Sequence, residues 1–159
     1  MPAEADQIHT IGLMAAHESA LADLYRVYAD KFVGQMEFWR QLADDEVSHA
    51  RWIAGFADDV KAGTIEVDPG RFSSESILAS LDQVRGHVQE VEDDDLSFLD
   101  ALAAAKKFEE GLIESRYFEV FEDDAPELKE LLTKLEGETE AHRKRVTEMW
   151  ESAGGKAHQ

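Results

Sequence analysis

The chain of 159 residues contains no cysteine, which excludes disulfides, thiolate zinc sites, iron–sulfur clusters and a cysteine nucleophile. Any metal it holds must be bound by oxygen and nitrogen. Proline is nearly as scarce, at three residues, and the abundance of Ala, Leu, Glu and Asp points to a mostly helical chain. Positive charge is the next deficit. Sixteen Lys plus Arg against 35 Asp plus Glu leave a formal net charge of −19, a field that repels nucleic acid and anionic membrane surfaces. No apolar run reaches the length of a membrane span, and Met1 to Thr10 carries neither a basic region nor an apolar stretch, so the expected compartment is the cytoplasm. The acidic runs Glu92 to Asp95 and Glu122 to Asp124 lack the spacing of an EF-hand loop and read as solvated helix ends.

What the chain does have is helical periodicity, broken at a few places. A first helix is expected from Glu4 to Val33, with Ile8, Ile11, Ala15, Glu18, Ala22, Tyr25, Ala29 and Phe32 on one face, ending at Gly34. A second follows with Trp39, Leu42, Glu46, His49, Ile53, Phe56 and Val60 in register, closed by Gly63. So short a connection makes the pair an antiparallel hairpin. After the turn at Asp68-Pro69-Gly70 comes an amphipathic segment that Ser73 or Ser74 could cap, spaced by Ile77, Leu81, Val84, Val88 and Val91. A further long helix is expected over 96–122, with Leu99, Leu102, Lys106, Glu109, Ile113, Tyr117 and Val120. The turn Asp123-Asp124-Ala125-Pro126 then leads into a last helix bearing Leu128, Leu131, Leu135, Glu138, His142, Val146 and Met149, stopped by Gly154-Gly155. Two hairpins joined by a long helical connector describe an antiparallel four-helix bundle with one crossover, the topology of ferritin-like folds, occupying 1–153 with a polar tail at 154–159.

The unusual residues are the charged ones on the apolar faces. Glu18, Glu46 with His49, Glu109 or Glu110, and Glu138 with His142 stand where a helix should bury leucine. Removing an isolated carboxylate from water costs several kcal/mol, so such a set calls for compensating cations, and metal ions are the simplest choice. Folding the first hairpin about Gly34 puts Glu18 level with Glu46 and His49, and folding the second about Asp124 puts Glu109 level with Glu138. Residues three or four apart share a helix face, so Glu46 with His49, and Glu138 with His142, can each present a carboxylate and an imidazole inward.

The segments His17-Glu18-Ser19-Ala20-Leu21-Ala22-Asp23-Leu24-Tyr25-Arg26-Val27-Tyr28 and Glu46-Val47-Ser48-His49-Ala50 resemble the first and second helices of rubrerythrins, in the ferritin-like di-iron superfamily. The likeness runs along nearly the whole chain. It implies two metals held by one Glu from each of two helices and a Glu-x-x-His from each of the others, with Glu18 and Glu109 as terminal ligands and Glu46 with His49 as one Glu-x-x-His pair. It favours Glu109 over Glu110 through the position of Tyr117. The last helix departs from the pattern: Thr139 stands three residues before His142, and the nearest inward acids are Glu138 and, less well placed, Glu140. The family also has a second acid one turn along the third bundle helix; Glu114 could serve, with a spacing that suits Glu110 better than Glu109.

The resemblance implies a dinuclear iron site, with manganese or zinc as alternatives, whose ions sit roughly 3.5–4 Å apart under bridging carboxylates from Glu46 and Glu138. Such a site reduces peroxide or dioxygen. With no cysteine-rich electron-transfer domain in this chain, electrons would come from an external donor such as a rubredoxin-like protein, and a homodimer is the expected assembly. Two alternatives keep the same fold: a ferroxidase or iron-handling protein, and a metal-poor helical bundle that serves as a partner-binding module. Tyr25, Tyr28 and Tyr117 are expected as core residues whose hydroxyls reach a carboxylate, Trp39, Trp52 and Trp150 as packing residues, and His9, His87 and His158 at the surface. His17 should point away from Glu18, and a hydrogen-bonded or solvent-reaching role competes with metal ligation for Glu110 and Glu114.

Overall fold

The computed structural model describes residues 3–72, 74–93, 95–114, 117–120, 122 and 124–155. Ser73, Asp94, Asp123 and His158, each given a role above, lie outside the described residues. The fold is all-α: α1 (Glu4–Lys31), α2 (Met36–Lys61), α3 (Ser74–Asp93), α4 (Phe98–Glu114) and α5 (Pro126–Ser152), with short 3-10 turns at Val33–Gln35 and Pro69–Arg71. Among the described residues no strand occurs, and no helix is long and apolar enough to cross a membrane. Contacts gather into two compact units, residues 1–93 and 94–159.

In the first unit α1 is the central helix, and its sequence says why. Besides the expected face, a second stripe of Gln7, Thr10, Met14, His17, Leu21, Leu24 and Tyr28 is buried at the same three-four spacing. One face meets α2, where Tyr25 and Tyr28 pack on Trp39 beside the hairpin turn. The other meets α3, and the contacts run in step: Thr10 with Ser74, His17 with Ser80, Tyr28 with His87. α3 is therefore parallel to α1. The connector that returns the chain to the start of α1 buries Ile65, Val67 and Phe72, and the Val67 amide donates to Gln7 Oε1 at 2.8 Å. Its start is fixed by Gly63, whose φ of 77° lets the Thr64 amide reach Asp59 and its own amide reach Val60, satisfying the last carbonyls of α2. Ser74 is the first residue of α3 rather than its cap.

The second unit is the α4–α5 hairpin. α4 buries Ala101, Leu102, Ala105, Glu109 and Leu112 against Leu128, Leu132, Leu135, Thr139, His142 and Val146 of α5. The expected helix to Glu122 stops early, with Tyr117 and Phe118 in a turn. No Lys or Arg lies in the last turn of α4 to offset the negative end of its dipole, and Glu114 adds a carboxylate there. Pro126 then starts α5 with a preset φ and no amide to satisfy. At the far end Gly154, φ 104°, closes α5, with the Gly155 amide reaching Trp150.

Candidate metal centre

Glu18 reaches the interior of the first unit from α1, and Glu46 and His49 from α2. All three are buried, at 2%, 1% and 0% exposure. One ligand atom from each lies within 4.8 Å of the others, and His49 Nδ1 is 3.4 Å from Glu46 Oε2. The local cause is helical register. Glu46 and His49 are three apart on the buried stripe of α2, and the short Val33–Gln35 turn folds Glu18 of α1 beside them. Trp52 covers the imidazole, its ring 5.4 Å from that of His49. Two carboxylates and one imidazole held this close, away from water, are costly without a cation, because desolvation removes the screening that separates like charges. With only N and O donors, the group fits iron, manganese or zinc.

In the second unit Glu109 of α4 and His142 of α5 meet, His142 Nδ1 lying 3.3 Å from Glu109 Oε1, with both side chains buried. Both groups bind metal in their proton-free form, so a metal ion taken up here would displace the proton they share. These buried Glu and His groups could hold metal ions.

Five of the six metal-ligating candidates thus fall into two groups: Glu18, Glu46 and His49, and Glu109 with His142. Glu109 and Glu110 differ in burial. Glu109 points inward, whereas Glu110 lies on the outer side of α4, 3.9 Å from Lys106. Glu114 is exposed, and Glu140 pairs with Arg143 on the surface. Glu138 differs from expectation. It is half-buried on α5, with its Oε2 shielded from solvent, and it joins no compact group of three potential ligands among the described residues. The buried stripe of α5 runs through Leu132 and Thr139 instead of Leu131 and Glu138. The residue three before His142, where the rubrerythrin pattern has glutamate, is therefore a buried threonine at 1% exposure.

Two polar pairs outside these groups escaped the sequence reading. His17 is buried, and its Nε2 lies 2.7 Å from Ser80 Oγ. His87, expected at the surface, is half-buried, with its Nε2 2.5 Å from the Tyr28 hydroxyl, which pairs with an imidazole and not a carboxylate. Burial lowers the pKa of His87 against the opposing pull of Glu90, and burial pushes the Tyr28 phenol well above its ordinary value. The spacing of Thr10, His17 and Leu24 along a second stripe of α1 was the available signal. Comparisons of the chain with protein-family models, with curated proteins and with solved structures found no match.

Proposed function

We propose that this chain is a ferritin-like metal protein of rubrerythrin type, an oxidoreductase that uses two iron ions, one at each Glu–His group, to reduce peroxide or dioxygen. The observation that carries the reading is the convergence of Glu18, Glu46 and His49 in a buried interior. A fold gains nothing from placing two carboxylates and an imidazole together unless a cation joins them. Manganese satisfies the same donors and the same chemistry; zinc satisfies the donors alone. When bound, ferrous iron supplies the electrons for reduction. The chain's own residues hold the ions, neutralise their charge and keep bulk water away, with Glu18 and Glu46 supplying charge and His49 a neutral nitrogen. Electrons are restored by an external donor such as a rubredoxin-like protein, and the working assembly is a homodimer.

Thr139 favours a second reading for the α5 group. A hydroxyl in place of a carboxylate removes one negative charge from beside Glu109 and His142, leaving a weaker site and a metal-poor second unit. The readings separate on metal content. Protein is loaded anaerobically with Fe(II), its bound iron is counted, and peroxide consumption is then followed with an added electron donor. Glu46→Ala should lose most iron and all peroxide reduction, and His142→Ala about one ion. Should the wild type hold one ion and Thr139→Glu raise it to two, the second reading is correct. Equal iron in wild type and Glu46→Ala sinks the assignment, and repeated Fe(II) turnover with mineral growth moves the protein to iron handling. A wild type that binds no metal leaves the partner-binding bundle.

A further inference from the structure

Away from the carboxylates, the first unit buries an aromatic column that ends in a partly exposed imidazole. Tyr25, Tyr28 and Trp39 have no solvent exposure. The Trp39 ring stands 5.7 Å from that of Tyr25 and 4.7 Å from that of Tyr28, measured between centroids. The Tyr28 hydroxyl meets His87 Nε2 at 2.5 Å, and His87 Nδ1 lies 3.8 Å from the carboxylate of exposed Glu90. Helical register ties the other end to the candidate metal centre. Tyr25 follows Glu18 by seven residues and Trp39 precedes Glu46 by seven, two turns or about 10 Å along each helix.

Packing alone does not explain the chemistry of this column. A phenylalanine at 28 would fill the same space without a polar atom to satisfy. The buried phenol stays protonated and the half-buried imidazole stays neutral, because burial opposes charge on both. The phenol must therefore donate to Nε2, which leaves the ring proton on Nδ1, toward Glu90. A phenol that loses an electron becomes a strong acid, and it is readily oxidised only where a base takes the proton in the same step. Tyr28 has that base in place.

We propose that Trp39, Tyr28 and His87 form a proton-coupled electron relay between a one-electron donor at the surface and an oxidised metal ion at the Glu18–Glu46–His49 group. The proposal rests on the metal reading of that group. In the first step Tyr28 passes one electron through Trp39 to the metal ion, which is reduced by one unit, while the hydroxyl proton moves to His87 Nε2. A neutral phenoxyl radical and an imidazolium remain. In the second step the surface donor returns one electron to the phenoxyl oxygen, which recovers its proton from Nε2. One electron has crossed and no proton is consumed. Trp39 is the conduit, Tyr28 the carrier, and His87 the positioning base.

The test has two arms on the full chain. In the metal-free arm a photogenerated ruthenium(III) polypyridyl oxidises the protein and transient absorption follows phenoxyl formation. Tyr28→Phe should remove most of the signal, and His87→Gln should slow its rise by about tenfold or more and abolish its dependence on deuterated solvent. A radical left unchanged by Tyr28→Phe, or a rate unchanged by His87→Gln, overturns the relay. In the second arm iron-loaded protein receives peroxide and is frozen for electron paramagnetic resonance. The expected tyrosyl signal is absent in Tyr28→Phe and appears more slowly in Trp39→Phe. Bound iron that consumes peroxide with no Tyr28-dependent radical overturns the relay while the metal reading stands. A chain that binds no iron overturns both, and metal analysis alone reports that failure.

Discussion

Glu46 carries opposite consequences in the presence and absence of metal. Without a cation its carboxylate is buried beside that of Glu18, a like-charge contact in a region of weak screening. Glu46→Gln keeps the shape and removes one charge, so the metal-free variant should be more stable than metal-free wild type by about 1 kcal/mol, a rise of a few degrees in Tm. With saturating Fe(II) or Mn(II) the order should invert, because the variant has lost a ligand. Calorimetry on the four samples checks the inversion; a lower Tm for the variant in both states would mean that Glu46 is a purely structural residue. His87 gives a second residue-level expectation. Burial holds its folded pKa below the unfolded 6.5, so in the window between the two values the unfolded chain binds a proton that the folded chain refuses. The stability it contributes is full above about 6.5 and declines as pH falls through that window. Urea unfolding of wild type and His87→Phe from about pH 8 to pH 5 should show a steeper acid loss in wild type. Parallel curves would contradict the assignment of the neutral imidazole.

At the scale of elements, the second stripe of α1 and the connector depend on each other. Gln7 is buried and its Oε1 accepts from the amide of Val67, which is how a stretch with no regular structure is held against the start of α1. Gln7→Leu preserves bulk while leaving that amide with no acceptor, at a cost of about 1–3 kcal/mol. Hydrogen exchange should show faster exchange at Val67, while amides of α2 around Leu42 keep most of their protection. Uniform loss of protection would show that the connector and helices open as one unit. α5 illustrates why helix faces were only partly legible. Leu128, Leu135, His142 and Val146 belong to the expected and the observed stripes alike, so periodicity identifies them; Leu131 against Leu132, and Glu138 against Thr139, differ by one position, about 100° around the helix. Where α4 lies decides between them. The same holds for Glu109 and Glu110, which a sequence presents as neighbours and the hairpin separates into a buried residue and one paired with Lys106.

At the scale of the whole molecule, the net charge of −19 acts on every part of the chain. Self-repulsion of this size destabilises a folded state and is screened by salt. Raising NaCl from about 10 to about 150 mM should therefore raise Tm in wild type and in Glu46→Ala to the same extent. Added Fe(II) or Mn(II) should behave differently. At a hundredfold excess over Kd, site binding contributes about 2.7 kcal/mol to wild type, and Glu46→Ala should receive only the screening effect. Equal responses of the two proteins to the metal would assign its effect to charge screening alone.

Composition and periodicity by themselves determined that this chain is helical, that any metal must be held by oxygen and nitrogen, and that Glu18, Glu46 and His49 share inward positions. These follow from local causes: residue chemistry, the 3.6-residue turn, and glycines at Gly63 and Gly154 whose positive φ ends a helix. Tertiary structure alone decided that α1 is buried on two faces, because its second stripe is completed by α3, which comes back parallel to it through the Val67 contact. It alone buried His17 against Ser80 and turned His87 from a surface expectation into a half-buried partner of Tyr28. It also placed Thr139, and not Glu138, in the buried stripe with His142. Burial depends on the elements that surround a residue, and a helix carries no record of how many neighbours will pack around it.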